Sequence, residues 1–213
     1  MNEGAFGEVD SRAGIPGTLT LDFARSWVRP RVSDKRFRHI RAVAKVGRDL
    51  AELAGCDAFL VELAAWLHDA CKEIKDRELI ESGERLGLVL HPIERMNGHL
   101  IHGPVAALTV QAELGLTNDQ VLEAISQHTL GGARLSLISK VVFLADCLEE
   151  GRPSDYTAPI WQALNMDGEL DLDLALVVAC DLNLRSLIDS GKPIHPRTVE
   201  MRNYYLDVVR QRG

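Results

Sequence analysis

Six side chains, far apart in the chain, share one chemistry: His39, His68, Asp69, His102, His128 and Asp146. Imidazole nitrogen together with carboxylate oxygen suits Fe, Mn, Co, Ni or Zn and makes Ca a poor occupant. The adjacent pair His68-Asp69 closes an apolar stretch, and two neighbouring residues reach one metal only at a helix end or bend. A carboxylate has two oxygens, so Asp69 could also bridge two ions. Alone, the dipeptide reads equally well as a helix-end cap, and a single His on an apolar face is commonly a satisfied core residue. Asp146 is harder to place blandly, because it follows Val-Val-Phe-Leu-Ala and a carboxylate is costly to bury unless paired or metal-bound. Six such residues directed from five helices toward one core point to a metal centre.

The elements that must carry them are helical. Apolar spacing predicts a short helix over 18–27, stopped by Pro30. A long helix over 34–54 places His39, Val43, Val46, Leu50 and Leu53 on one face, with Gly55 as its C-cap. Asp57 caps the next helix, which carries Leu60, Leu63, Ala64 and Leu67 inward and runs into His68-Asp69. Residues 74–93 read as a short helix and a loop. A helix over 99–114 tolerates Pro104 near its start. Thr117 or Asn118 caps the helix carrying Val121, Ile125 and His128, which Gly131-Gly132 closes. Residues 136–149 are helical, with Ile138, Val142, Ala145 and Leu148 inward, and Gly151-Arg152-Pro153 breaks them. A short helix over 159–166 follows, then a nearly all-apolar, deeply buried helix over 171–188. Pro196 opens a last helix to 210. The expected fold is all-α: a flexible N-terminal arm over 1–18 and a single-domain helical bundle over 19–213.

The 213 residues are 46% hydrophobic and carry 24 basic against 31 acidic side chains, a net charge of −7. A general nucleic-acid binder carries the opposite sign, although a local cluster of cations or a metal would still admit a small phosphorylated substrate. No apolar run approaches the roughly 20 residues of a membrane span. Cys56, Cys71, Cys147 and Cys180 form no CxxC pair and read as thiols in a reducing cytoplasm, and residues 1–17 lack the pattern of a secretory signal.

The order His39, His68-Asp69, His102, His128, Asp146 resembles the HD superfamily of metal-dependent phosphohydrolases, in its expanded form with extra histidines and two metals. The runs Arg38-His39, His68-Asp69-Ala70-Cys71-Lys72, His102-Gly103-Pro104-Val105 and His128-Thr129-Leu130-Gly131 carry the likeness. Lys140, Leu144-Ala145-Asp146, Glu149, Gly151-Arg152, Pro196-Arg197-Thr198 and Arg202-Asn203 extend it. Together they are similar to the branch of symmetrical bis(5′-nucleosyl)-tetraphosphatases, from Lys35 onward. Glu150 stands where that branch often has Pro, and Leu135 where Met is expected.

The resemblance implies an HD-domain bundle in which His39, His68, Asp69 and Asp146 hold one ion, and Asp69, His102 and His128 the second. It implies two divalent transition-metal ions, iron first and Mn, Co, Ni or Zn as substitutes. The implied reaction is cleavage of diadenosine tetraphosphate to two ADP by a metal-activated water, with Asp69, Lys72 and Arg152 in catalysis. Lys72 either neutralises a substrate phosphate or is a solvated member of the charged run 72–76. Arg152 either grips phosphate bidentately or is a surface Arg, and Thr129 either offers a phosphate its hydroxyl or serves the helix end. His91 and His99 fall outside the series, and His195 reads as a helix-start residue. The same constellation would also serve a nucleoside monophosphate, a dNTP or a cyclic dinucleotide, or a metal- or nucleotide-binding module without turnover. The full ligand set argues against the last.

Overall fold

A computed structural model describes residues 11–165 and 169–212. Among them every regular element is a helix: α1 Leu21–Val28, α2 Asp34–Ala54, α3 Ala58–Leu67, α4 Asp76–Arg85, α5 Pro92–Met96, α6 His102–Leu114, α7 Asp119–Gln127, α8 Leu137–Leu148, α9 Ser154–Leu164, α10 Leu172–Asp189 and α11 Pro196–Arg210. No helix among the described residues is long and apolar enough to cross a membrane.

Short-range chemistry sets most boundaries. Ser33, Asn118 and Ser136 accept backbone N–H bonds from Arg36, Val121 and Ser139 and so start α2, α7 and α8. Asp57 Oδ1 accepts from Phe59 N (2.9 Å) at the start of α3. Each such cap contributes about 1 kcal/mol. Gly55 ends α2 at φ +66°, a conformation that costs a residue with a Cβ.

Helix α3 is the hub, packing against α1, α2, α6, α7 and α8. Leu60, Leu63 and Leu67 on it are fully enclosed, with Ile40 of α2, Ile125 of α7 and Leu144 of α8 around them. Helices α9, α10 and α11 pack in series against α8 and form a second layer. The ligand candidates sit on α2 and α8 and at the ends of α3, α6 and α7, all neighbours of α3.

Several expectations shift. The first helix starts at Leu21, because Thr20 Oγ1 caps it by accepting from Phe23 N. Leu53 is 67% exposed, since the last turn of α2 meets the core through Leu50, Ala51 and Ala54 and leaves Leu53 on its outer side. The 99–114 helix divides at His102 into a 3-10 turn, Gly98–Ile101, and α6. The helix expected over 159–166 begins at Ser154 instead, after Pro153, and runs through Pro159. There the missing N–H costs a single bond, to the carbonyl four residues back; Met166 lies outside the described residues. Helix α10 is buried only along its first half: Ala175, Leu176, Ala179 and Cys180 are enclosed, while Ile188 is 65% exposed. Its second half carries Asn183 and Ser186 to a cavity wall.

The arm expected over 1–18 lies partly outside the described residues. From Ser11 on it is tied down: the Asn118 amide donates to Ser11 O (3.0 Å) and Ala13 O (2.8 Å), and Thr117 N donates to Gly14 O (2.8 Å). Asp57 and Asn118, each a helix cap, anchor the segment as well; Arg12 pairs with Asp57 at 3.1 Å.

Gly103 couples fold to site. A Cβ there would lie 2.8 Å from Ile125 O and 3.1 Å from the His128 ring. Gly103→Ala is expected to destabilise by about 1–3 kcal/mol, at about 2–4 °C per kcal/mol for a chain of this size, and to lower metal content. Thermal unfolding with and without added metal checks it; an unchanged melting temperature contradicts the close approach.

Candidate functional site

All six residues meet. His68 and His102 are fully buried, Asp69 is 2% exposed and His128 4%. Three of the imidazoles are oriented in the same way. His68 Nδ1–H donates to the Ala65 carbonyl (2.6 Å), His128 Nδ1–H to that of Ile125 (2.7 Å), and His102 Nδ1–H to that of His99. A carbonyl only accepts, so each Nδ1 carries the proton and each Nε2 turns a lone pair into the site, as a metal ligand requires. His39 is held differently: its Nδ1 lies 3.2 Å from Glu149 Oε1 and its Nε2 3.2 Å from Asp146 Oδ1.

Asp69 stands between two sets. Its Oδ1 is 3.0 Å from His102 Nε2 and 3.5 Å from His128 Nε2, and its Oδ2 is 3.5 Å from both His39 Nε2 and His68 Nε2. His102 Nε2 and His128 Nε2 are 2.8 Å apart. Ligand atoms held about 2.0–2.2 Å from one ion are themselves separated by about 3 Å, which is the spacing seen here.

The donor set fits metal. His39 Nε2 and His68 Nε2 are buried with no hydrogen-bond partner among the described residues, an arrangement that is expensive unless a cation takes the lone pair. Two groups of donors, His39-His68-Asp146 and His68-Asp69-His128, each lie within 4.8 Å of one another. His102 Nε2 belongs beside the second group, given its distances to Asp69 and His128.

Electrostatics point the same way. Burial pushes the His68 and His102 imidazoles down to about 4, against the pull of Asp69, so both are neutral ligands at ordinary pH. Burial alone would raise the Asp146 carboxyl, but His39 and Arg152 outweigh it and hold it well below the usual range. His39 goes the other way: burial lowers it, yet Asp146, Asp69 and Glu149 together raise it.

A cavity of about 390 Å³ opens over the cluster, with Asp69, His128 and Asp146 in its floor and Lys72, Thr129 and Arg152 in its walls. Lys72 Nζ is 3.5 Å from His102 Nε2, and burial lowers its pKa. Thr129 Oγ1 lies 3.2 Å from His102 Nε2 and 3.1 Å from His128 Nε2. Arg152 is no ordinary surface Arg: its Nη2 donates to Asp146 Oδ1 (2.7 Å) and its Nε to Asp146 O (3.0 Å). His195 caps α11 by accepting from Arg197 N, and its ring also faces Glu94 at 3.4 Å and lines the cavity. His91 caps α5, and His99 pairs with Asp76 at 3.0 Å, both outside the cluster.

Two residues of the site escape periodicity. Arg36 Nη1 donates to Asp69 Oδ2 at 2.9 Å, but on α2 it reads as one more solvated cation. Glu149 stood in the motif without a role, and its contact with His39 depends on the chain turning sharply after α8. The cysteines stay out of the cluster: Cys71, Cys147 and Cys180 are buried and all four are free.

Residues 36–151 match the family described as HD domain, and the chain belongs to that family. Within it the chain is a hydrolase that groups with the symmetrical bis(5′-nucleosyl)-tetraphosphatases. It is 31% identical to the protein so named in Halalkalibacterium halodurans, over 84% of this chain and 93% of that one. It is 29% identical to the one in Bacillus subtilis, over 87% and 97%. A solved structure from Clostridium acetobutylicum, described as a "predicted HD superfamily hydrolase involved in NAD metabolism", superposes with a TM-score of 0.82 at 27% identity, covering 89% of this chain and 98% of that one.

Asp69→Asn is expected to lose metal, because a neutral amide replaces the carboxylate that faces both donor sets, whereas His195→Ala keeps it. Glu149→Gln is expected to weaken metal binding by about 10–100-fold through loss of the carboxylate beside His39 Nδ1. Elemental analysis and metal titration of the three variants check these outcomes; full metal content in Asp69→Asn contradicts the ligand assignment.

Proposed function

We propose that the chain hydrolyses diadenosine tetraphosphate, or a close dinucleoside polyphosphate, symmetrically to two ADP. The observation that carries this is a six-residue His/Asp cluster, of which Asp69, His128 and Asp146 line a cavity that also holds Lys72, Arg152 and Thr129. The names of the relatives supply the substrate class. His39, His68, Asp69 and Asp146 would hold one divalent transition-metal ion, and Asp69, His102 and His128 a second, with iron the first choice and Mn, Co, Ni or Zn as substitutes. When bound, such ions polarise phosphoryl oxygens and make water a competent nucleophile at neutral pH.

The chain's own residues do the rest. The Nδ1–H bonds to backbone carbonyls fix three imidazoles in one tautomer, so no proton has to move before they can act as ligands. Lys72 makes no ion pair within 4 Å among the described residues, although Asp69 and Asp146 act on it from further off, and its ammonium is available to a phosphate oxygen. Arg152, already anchored on Asp146, has further N–H groups for a neighbouring phosphate. Thr129 Oγ1 offers a hydroxyl at the same edge. A water oxygen adds to one of the two central phosphorus atoms and the bridging P–O bond between them breaks. Each half leaves as ADP. A cytoplasmic location would keep the enzyme's free thiols reduced.

Incubating the metal-loaded protein with diadenosine tetraphosphate and separating the products by chromatography tests the reading. ADP alone is expected. Equal AMP and ATP would show that the cut falls one phosphate away, and rapid cleavage of a mononucleotide beside inert diadenosine tetraphosphate would favour a different nucleotide. Lys72→Ala is expected to lower kcat by about 10²–10³-fold, the size of effect seen when one charge-stabilising donor is removed, with metal content retained. An unchanged kcat removes Lys72 from the machinery.

A further inference from the structure

The cavity over the cluster opens toward α10, but the cluster has a second open side. There a cavity of about 680 Å³ runs between the start of α2 and the turn joining α8 to α9, lined by Lys35, Arg36, Arg38, Arg41, His39 and Arg152 among others. In a chain of net charge −7, five cations line this groove against three acids, Glu73, Glu149 and Glu150. Two of the acids are already engaged. Glu73 accepts from Ser33 N (2.6 Å) and Ser33 Oγ (2.5 Å), and Glu149 accepts from Gly151 N (2.6 Å) and faces His39. Arg36 and Arg152 are anchored on Asp69 and Asp146. Lys35, Arg38 and Arg41 are exposed and have no ion-pair partner among the described residues.

The groove continues. A third cavity of about 450 Å³ shares Ala42, Glu149, Glu150 and Arg152 with the second and ends on Ser154, Thr157 and Trp161. Trp161 is 37% exposed. The first and second cavities in turn share Arg36 and Arg152. Three adjoining cavities thus lie side by side, one at the α10 wall and the cluster, one beside the unpaired cations of α2, and one bordered by Trp161. That sequence of features is the complement of a nucleoside diphosphate: a polyanion to pair with the cations, and a base with a flat face to stack on the ring.

We propose that the α2 groove seats the second nucleotide half of the substrate, its phosphates along Arg38 and Arg41 and its base against Trp161. This rests on the reading of the site as a dinucleoside polyphosphate hydrolase. The two halves of such a substrate are identical, but the two sides of the cluster are not. One half therefore lies in the cavity beside α10, with Lys72 and Lys192 in its lining, and the other in the groove along α2.

The test uses the full chain loaded with Mn²⁺. Calorimetric titration with ADP is expected to give two sites per chain in the wild type and one in Arg38→Ala/Arg41→Ala, whose substitutions lie on the exposed face of α2. The double variant is expected to raise KM for diadenosine tetraphosphate on the order of tenfold or more. Trp161→Ala is expected to lose on the order of tenfold in kcat/KM with diadenosine tetraphosphate and far less with adenosine 5′-tetraphosphate, which has no second base. A single ADP site in the wild type, or equal losses with both substrates in Trp161→Ala, overturns the groove even if symmetrical cleavage is observed. Two ADP sites reduced to one by the double variant, in a protein that does not cleave diadenosine tetraphosphate, would overturn the reaction and leave the groove standing.

Discussion

The burial of one carboxylate governs the rest of this structure. Asp69 is almost wholly removed from water, where an ionised carboxylate needs positive charge beside it. An isolated buried carboxylate would instead take up a proton or expel the helix that carries it. Arg36 supplies one positive charge, on Oδ2 alone. Oδ1 faces His102 Nε2 and His128 Nε2, and both nitrogens have given their ring proton to the other side of the imidazole. Lone pairs then converge on lone pairs at 2.8–3.5 Å. That contact is repulsive until a cation enters, and so the same geometry that makes the site expensive when empty makes it selective for metal.

Helix termini make this arrangement possible. Carbonyls within a helix are already engaged, whereas those of the last turn have no intrahelical partner. Ala65 and Ile125 lie in the last turns of α3 and α7, and the histidines three residues on, His68 and His128, complete those turns by donating Nδ1–H back to them. At α3 and α7 a spare backbone acceptor thus fixes a ring, its tautomer and its direction together. His102 donates Nδ1–H to the His99 carbonyl in the 3-10 turn before α6, which also accepts the His102 backbone N–H.

What could be read in the residues follows from which interactions are local. The caps at Asp57 and Asn118, the stop at Gly55 and the start at Pro196 depend on side chains a few positions away, and each falls where the spacing places it. The six histidine and aspartate positions were legible because a polar group amid apolar neighbours has few explanations. Arg36 and Glu149 were not, because their partners are on other helices and nothing in the polar face of α2 distinguishes a cation reaching inward from one in solvent. The second half of α10 misled for the opposite reason. Its apolar residues line a cavity and the protein surface instead of the core, and composition alone does not separate these fates.

Arg36 and Arg152 join the His/Asp cluster to both large cavities. Each guanidinium donates to a carboxylate of the cluster, Asp69 or Asp146, and each also lines both large cavities. A guanidinium has five N–H donors in a rigid fork and cannot give up its proton. Arg152 uses Nη2 and Nε on Asp146 and keeps the remaining donors for a phosphate, so gripping one does not require it to release the other. Phosphate binding on either side would draw on the same two charges that hold the buried carboxylates in place. Under the proposed seating of the substrate, the positions of the carboxylates, and with them the donor sets, would be linked to the occupancy of the two cavities. A lysine at either position could not do this, because a single ammonium has neither the planar fork nor the reach to serve both partners at once.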